Sequence, residues 1–233
     1  MSNIANLIQE EFLNLNDRMK ETTELYLKLA RYCTELIQNA YGEKELEFPV
    51  NLELIADYVG IKIESDGLND ERNGEFSRIL SRLIENDKGQ IIIIVDNQVG
   101  AKTQRYATAH ALARYLLRGD AAILEGTYAI PLIPQSLDEI MADVVALFLL
   151  LPPELFKIEF KNYLLQMIEN EKPIDVDVWL GYLSNKSMVS LFNLSIGYQQ
   201  LKQVLSYEKQ KKFEAIGFDI DKMVEDEYDI VYA

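Results

Sequence analysis

The chain is poor in the residues that carry most enzyme chemistry. Histidine and cysteine occur once each among its 233 residues, at His110 and Cys33. A lone cysteine cannot close an intramolecular disulfide, and the opening stretch MSNIANLIQEEF lacks the basic-then-apolar run of a signal peptide, so the expected compartment is the cytoplasm. Long hydrophobic runs are missing too: Ile91 to Val95 and Val144 to Leu151 fall far short of the roughly 20 residues that cross a bilayer. Positive charge is scarce, with 23 Lys and Arg against 38 Asp and Glu and a net charge of −15. That is the wrong sign for gripping phosphate backbones, so direct nucleic-acid binding is not expected. A basic protein partner fits this charge, as does plain solubility. No P-loop, G-x-G-x-x-G stretch or Ser and His pairing is present, which removes the common nucleotide and nucleophile chemistries.

What is present reads as a folded chain: 48% hydrophobic and 10% aromatic residues are enough for a sizeable core. Apolar residues recur at helical spacing from Ile4 to Tyr41, closed by Gly42. In FPVNLELIADYVG, residues 48–60, Asn51 is a candidate N-cap and Gly60 the stop, and IKIE at 61–64 reads as a strand. The runs Ser77 to Ile84 and Gln90 to Val95 flank a turn closed by Gly89, which predicts a β-hairpin over 77–96. Helices are expected over Thr103 to Leu117 and Ser136 to Leu151, the second stopped by Pro152 and Pro153. Further helices are expected over Glu154 to Glu169, Val178 to Ser184, Ser187 to Phe192 and Ile196 to Ser206. The expected organisation is an N-terminal helical segment (1–45), a core (46–155) and a C-terminal helical module with an acidic tail (156–233), in an α+β fold.

The helix around His110 carries the argument. A zinc-peptidase helix reading H-E-x-x-H sets two imidazoles one turn apart, with a glutamate placed to take a proton from the metal-bound water. Residues 105–114 read RYATAHALAR, which resembles the R-F-T-x-A-H-E-L-G-H helix of the ImmA/IrrE family of bacterial and phage metallopeptidases. Three other segments resemble family segments in the same order. They are FPVNLELIADYVGIKI at 48–63, QIIIIVDN at 90–97, and DEIMADVVALFLLLP at 138–152. The resemblance covers about residues 46–155 and implies a zincin-like core, a small sheet with a hairpin packed on helices.

It also implies a lost site. His110 and Arg114 stand at the two histidine positions, Ala111 at the glutamate position and Met141 at the third ligand position. Three protein ligands are normal for catalytic zinc, so no metal, cofactor or family-type catalysis is expected here. Arg114 lies one turn from His110 on the same face. A cation standing where a cation used to bind suggests an Arg114–Asp138 ion pair between the two helices, with Glu139 or Asp143 close enough to substitute; the alternative is that Arg114 reaches solvent. His110 itself reads as a histidine hydrogen-bonded inside the helix layer, and Cys33 as a small buried hydrophobe.

Residues 186–204, KSMVSLFNLSIGYQQLKQV, resemble a helix-turn-helix with its turn at Phe192 to Ser195, yet offer too few cations to hold phosphates. Active members of the family cleave helix-turn-helix repressors encoded beside them in phages, mobile elements and stress regulons. The resemblance therefore implies a pseudoenzyme in transcription regulation that binds such a repressor or another neighbouring-gene product. Two other expectations stay open: a hydrolase with a displaced carboxylate-rich metal site on His110 with Asp138, Glu139 or Asp143, and an acidic mimic of nucleic acid. The oligomeric state is not legible in the sequence.

Overall fold

In a computed structural model, the residues described are 22–68, 79–119, 122, 127–129, 137–173 and 175–194, with backbone alone at 22–24, 127–129 and 137–138. The elements run α1 (Thr22–Tyr41), α2 (Leu52–Tyr58), β1 (Ile61–Asp66), β2 (Ile79–Glu85), β3 (Ile91–Asp96), α3 (Ala101–Arg118), β4 (Thr127–Ala129), α4 (Leu137–Leu150), α5 (Pro153–Glu169) and α6 (Val176–Ser187). The fold is mixed α+β. Expectations for residues 4–21, for the turn beyond residue 68, for the helix at 196–206 and for the tail 219–233 lie outside the described residues.

Local chemistry places the first elements. Asn51 caps α2 by accepting from the amides of Glu53 and Leu54, and Gly60 at φ 82° turns the chain straight into β1. The hairpin forms as expected, β2 antiparallel to β3 with Leu83 opposite Ile93. Gly89, at φ 74°, takes the left-handed position in its turn. The sheet order is β1-β3-β2-β4, with β1 parallel to β3 and β4 antiparallel to β2. The sequence reading contained neither β4 nor the parallel pairing.

The core lies between this sheet and the helices. α3 packs on β2, β3 and α4, and α4 also meets α1. Leu112 and Leu116 of α3, Val145 and Phe148 of α4, and Leu29, Leu36 and Ile37 of α1 are all fully buried. Cys33 sits among them with no exposure, and burial pushes its thiol well above the ordinary range, so it is inert. Among the described residues no helix is long and apolar enough to cross a membrane.

The C-terminal module departs from expectation in one place. The helices expected over 178–184 and 187–192 are divided elsewhere: α6 runs on through Ser187, ended by Met188 in the left-handed conformation, and helix resumes at 191–194. Asp175 supplies an N-cap earlier than periodicity suggested, and Ser187 donates its hydroxyl back to the Leu183 carbonyl at 2.7 Å, extending the helix past Ser184. The break therefore falls at 188–190, ahead of the expected turn at Phe192 to Ser195.

Candidate functional site

His110 lies at the centre of the layer between α3 and α4 with no solvent exposure. Its Nε2 is 3.2 Å from Glu139 Oε2 and 3.3 Å from Asp143 Oδ1. Glu139 and Asp143 are one turn apart on α4, so one face of that helix presents both carboxylates to a single imidazole. Arg114, 6% exposed, brings its Nε to 3.4 Å from Glu139 Oε1. Tyr106, one turn before His110, donates its hydroxyl to Asp143 Oδ1 at 2.6 Å. The result is a mixed-charge cross-link in which α3 supplies Tyr106, His110 and Arg114 and α4 supplies Glu139 and Asp143.

The Arg114 contact falls on Glu139, the neighbour of the residue favoured from sequence; the side chain of Asp138 lies outside the described residues. Tyr106 was missed in the sequence reading, although its place four residues before His110 puts it on the same face. His110 is held by carboxylates of the facing helix rather than by its own.

The two carboxylates are tuned in opposite directions. Contact with His110 holds the Glu139 carboxyl below its ordinary value, with Arg114 and Arg118 adding to the pull against the cost of burial. For Asp143 burial dominates and pushes the carboxyl up, against the pull of His110 and the Tyr106 hydroxyl. The signs give a prediction. A lowered Glu139 stabilises the fold above its ordinary 4.5, and this is lost as pH falls through the lowered value. A raised Asp143 contributes stability that is complete below its ordinary 3.8 and is lost as pH rises through the raised value. Asp143→Asn is expected to remove that second loss, so that the acid-to-neutral limb in urea unfolding rises relative to wild type as pH increases through the raised Asp143 value. An unchanged limb would show that Asp143 does not titrate with folding.

The residues present do not fit the zinc that the resemblance implies. Ala111 is buried and carries no carboxylate to act as base, Met141 is buried in the core, and Arg114 puts a fixed cation one turn from His110. Among the described residues no group of three or more His, Cys, Asp or Glu is arranged to hold a metal ion. Chemically the arrangement is suited to holding two helices in register.

A second feature lies on the other side of α3. Ala101, Gln104, Arg105 and Thr108 share a face roughly 170° from that of His110, and they line a groove of about 560 Å³ with residues 49–53, Ile63, Glu64, Ser65 and Val95. Arg105 anchors its floor, donating from Nη2 to the Val50 carbonyl and from Nε to the Ser187 carbonyl at 3.1 Å. Burial lowers the guanidinium to about 10. Ser187 ends α6, so Arg105 satisfies a helix C-terminal carbonyl while fixing α3, α6 and the loop at Val50 together. Lys102 adds to that joint, donating to Ser184 Oγ at 2.8 Å and Asn185 Oδ1 at 3.2 Å.

No protein-family model matches this chain, and no curated protein matches it significantly.

Proposed function

We propose that this chain is a zincin-like pseudo-peptidase of the ImmA/IrrE type, a cytoplasmic, non-catalytic protein-binding module for a repressor or another mobile-element protein. One observation carries the reading: Arg114, a buried fixed cation, stands one turn from His110 and meets Glu139 across the helix layer. A guanidinium there opposes a second cation electrostatically and occupies the face where a second ligand would have to project. The missing base at Ala111 points the same way, since general base catalysis commonly contributes ~10²–10⁴-fold.

The competing reading is a hydrolase with a displaced metal on His110, Glu139 and Asp143. It is favoured by two carboxylate oxygens within 3.3 Å of one imidazole nitrogen. The two readings part experimentally. Purified chain, offered zinc, manganese and magnesium in turn, is expected to carry no stoichiometric metal by mass spectrometry. Mixed with a helix-turn-helix repressor, where one is encoded beside its gene, it is expected to co-elute with the repressor and leave it intact. About one metal per chain dependent on His110, or cleavage of the repressor, would overturn the pseudo-peptidase reading; failure to co-elute would remove the repressor as partner.

A further inference from the structure

The outer face of α5 carries an exposed aliphatic stripe. Ile158, Leu165 and Ile168 are each roughly half exposed, and their spacing along the helix puts them within an arc of roughly 80°, over about 15 Å of its length. The opposite face is already used: Phe156 and Tyr163 pack on Trp179, and Glu159 meets Lys186, both of α6. Single apolar side chains on a surface are ordinary, but three aligned on one helix face form a patch that favours a cover.

The charge along this stripe is positive. Between Leu155 and Ile168 the exposed charged residues are Lys157 and Lys161 alone. Lys157 pairs at the surface with Glu154 at 2.9 Å. Lys161, which lies between Ile158 and Leu165, has no ion pair among the described residues. An aliphatic stripe with an uncompensated ammonium in its middle suits an occupant that is both apolar and acidic.

The chain itself contains such a segment. Residues 219–231 read DIDKMVEDEYDIV, with six acids against one lysine. Ile220, Val224, Tyr228 and Val231 recur at helical spacing, while Asp221, Glu225, Asp226 and Asp229 fall between them. The tether is rooted beside the stripe. Lys186, in the last turn of α6, donates to Glu159 Oε2 at 2.6 Å, next to Ile158, and the described chain ends soon after, at the buried Leu194. Residues 195–218 separate Leu194 from Asp219. Random-coil statistics give a tether of this length a span of roughly 25–30 Å, about the length of α5.

We infer that residues 219–231 dock in cis on the outer face of α5, with their apolar side chains over Ile158, Leu165 and Ile168 and their carboxylates around Lys161. Tethering sets an effective concentration of roughly millimolar order, so a contact too weak to hold two separate molecules holds here. The inference stands independently of the reading of the chain as a pseudo-peptidase.

The test is paramagnetic broadening in the full chain labelled with nitrogen-15. Cys33 is fully buried, so a spin label reacts with a cysteine introduced at Asn162 or, in a second sample, at Gln166. Both positions are exposed and flank the stripe on the side away from Lys157 and Lys161. Either label is expected to extinguish most of the amide signal of residues 220–231, with the signal returning in high salt. Leu165→Ser with Ile168→Ser, both at exposed positions, is expected to restore the signal, and Lys161→Glu to restore part of it. Full signal over 220–231 with both labels overturns the inference, as does broadening that survives the two serines. Mixing spin-labelled chain of natural nitrogen with nitrogen-15 chain that carries no label is expected to give no broadening. Broadening of equal depth in that mixture would place the segment on a second copy and overturn docking in cis.

Discussion

Trp179→Ala is expected to cost about 3–5 kcal/mol, the range for deleting a large buried aromatic. The indole is 1% exposed and is ringed by Phe156, Phe160, Tyr163 and Tyr182, with centroid separations of 5.8, 5.4, 5.1 and 5.8 Å. These rings belong to α5 and α6, so the alanine variant opens a cavity in the joint that holds the C-terminal module together. For a chain of this size the loss corresponds to a fall in Tm of roughly 6–20 °C. Trp179→Phe is expected to cost much less. Among the described residues the buried indole Nε1 has no hydrogen-bond partner, and removing an unsatisfied donor returns part of the about 1–3 kcal/mol it costs. Because Trp179 is the only tryptophan, unfolding must be followed by circular dichroism. A loss below ~1 kcal/mol in the alanine variant would show that the ring cluster contributes little to the fold.

Arg114→Ala is expected to destabilise by about 2–3 kcal/mol, near the low end for removing one partner of a buried ion pair. The low end applies because Glu139 keeps about a quarter of its side-chain surface in water. The loss comes less from the attraction that disappears than from the carboxylate left facing the helix layer. A cycle with Glu139→Gln separates the two: the pair should couple by about 1 kcal/mol or more, and additive effects would mean that Arg114 acts through packing. Arg114→Lys is expected to recover part of the stability only, since an ammonium on a flexible stem does not reproduce a guanidinium wedged at 6% exposure. Full recovery by lysine would reduce the role of Arg114 to a point charge.

Much of the local structure is legible without coordinates. The apolar runs around the Gly89 turn, the Asn51 cap and the proline stop after Leu151 each act over a few residues. Their outcomes, the β2–β3 hairpin, the start of α2 and the end of α4, follow the sequence within a residue or two. The His110 and Arg114 face of α3 is legible for the same reason, since helix geometry alone sets residues four apart on one side.

What could not be read depends on contacts between segments distant in the chain. β4 is three residues long, too short for periodicity, and exists because β2 offers it an edge. The parallel pairing of β1 with β3 joins segments far apart in the chain, beyond the reach of any local pattern. Ser187 stays helical because α6 is anchored to α3 through Lys102 and Arg105. The sequence by itself determined that His110 has neither a second histidine nor a neighbouring glutamate, because identity and spacing along one helix are purely local. Only the tertiary structure decided that His110 is held by Glu139 and Asp143 and Arg114 by Glu139, because the rotation of α4 about its axis, set by the burial of Val144 to Leu151, selects which carboxylates face α3.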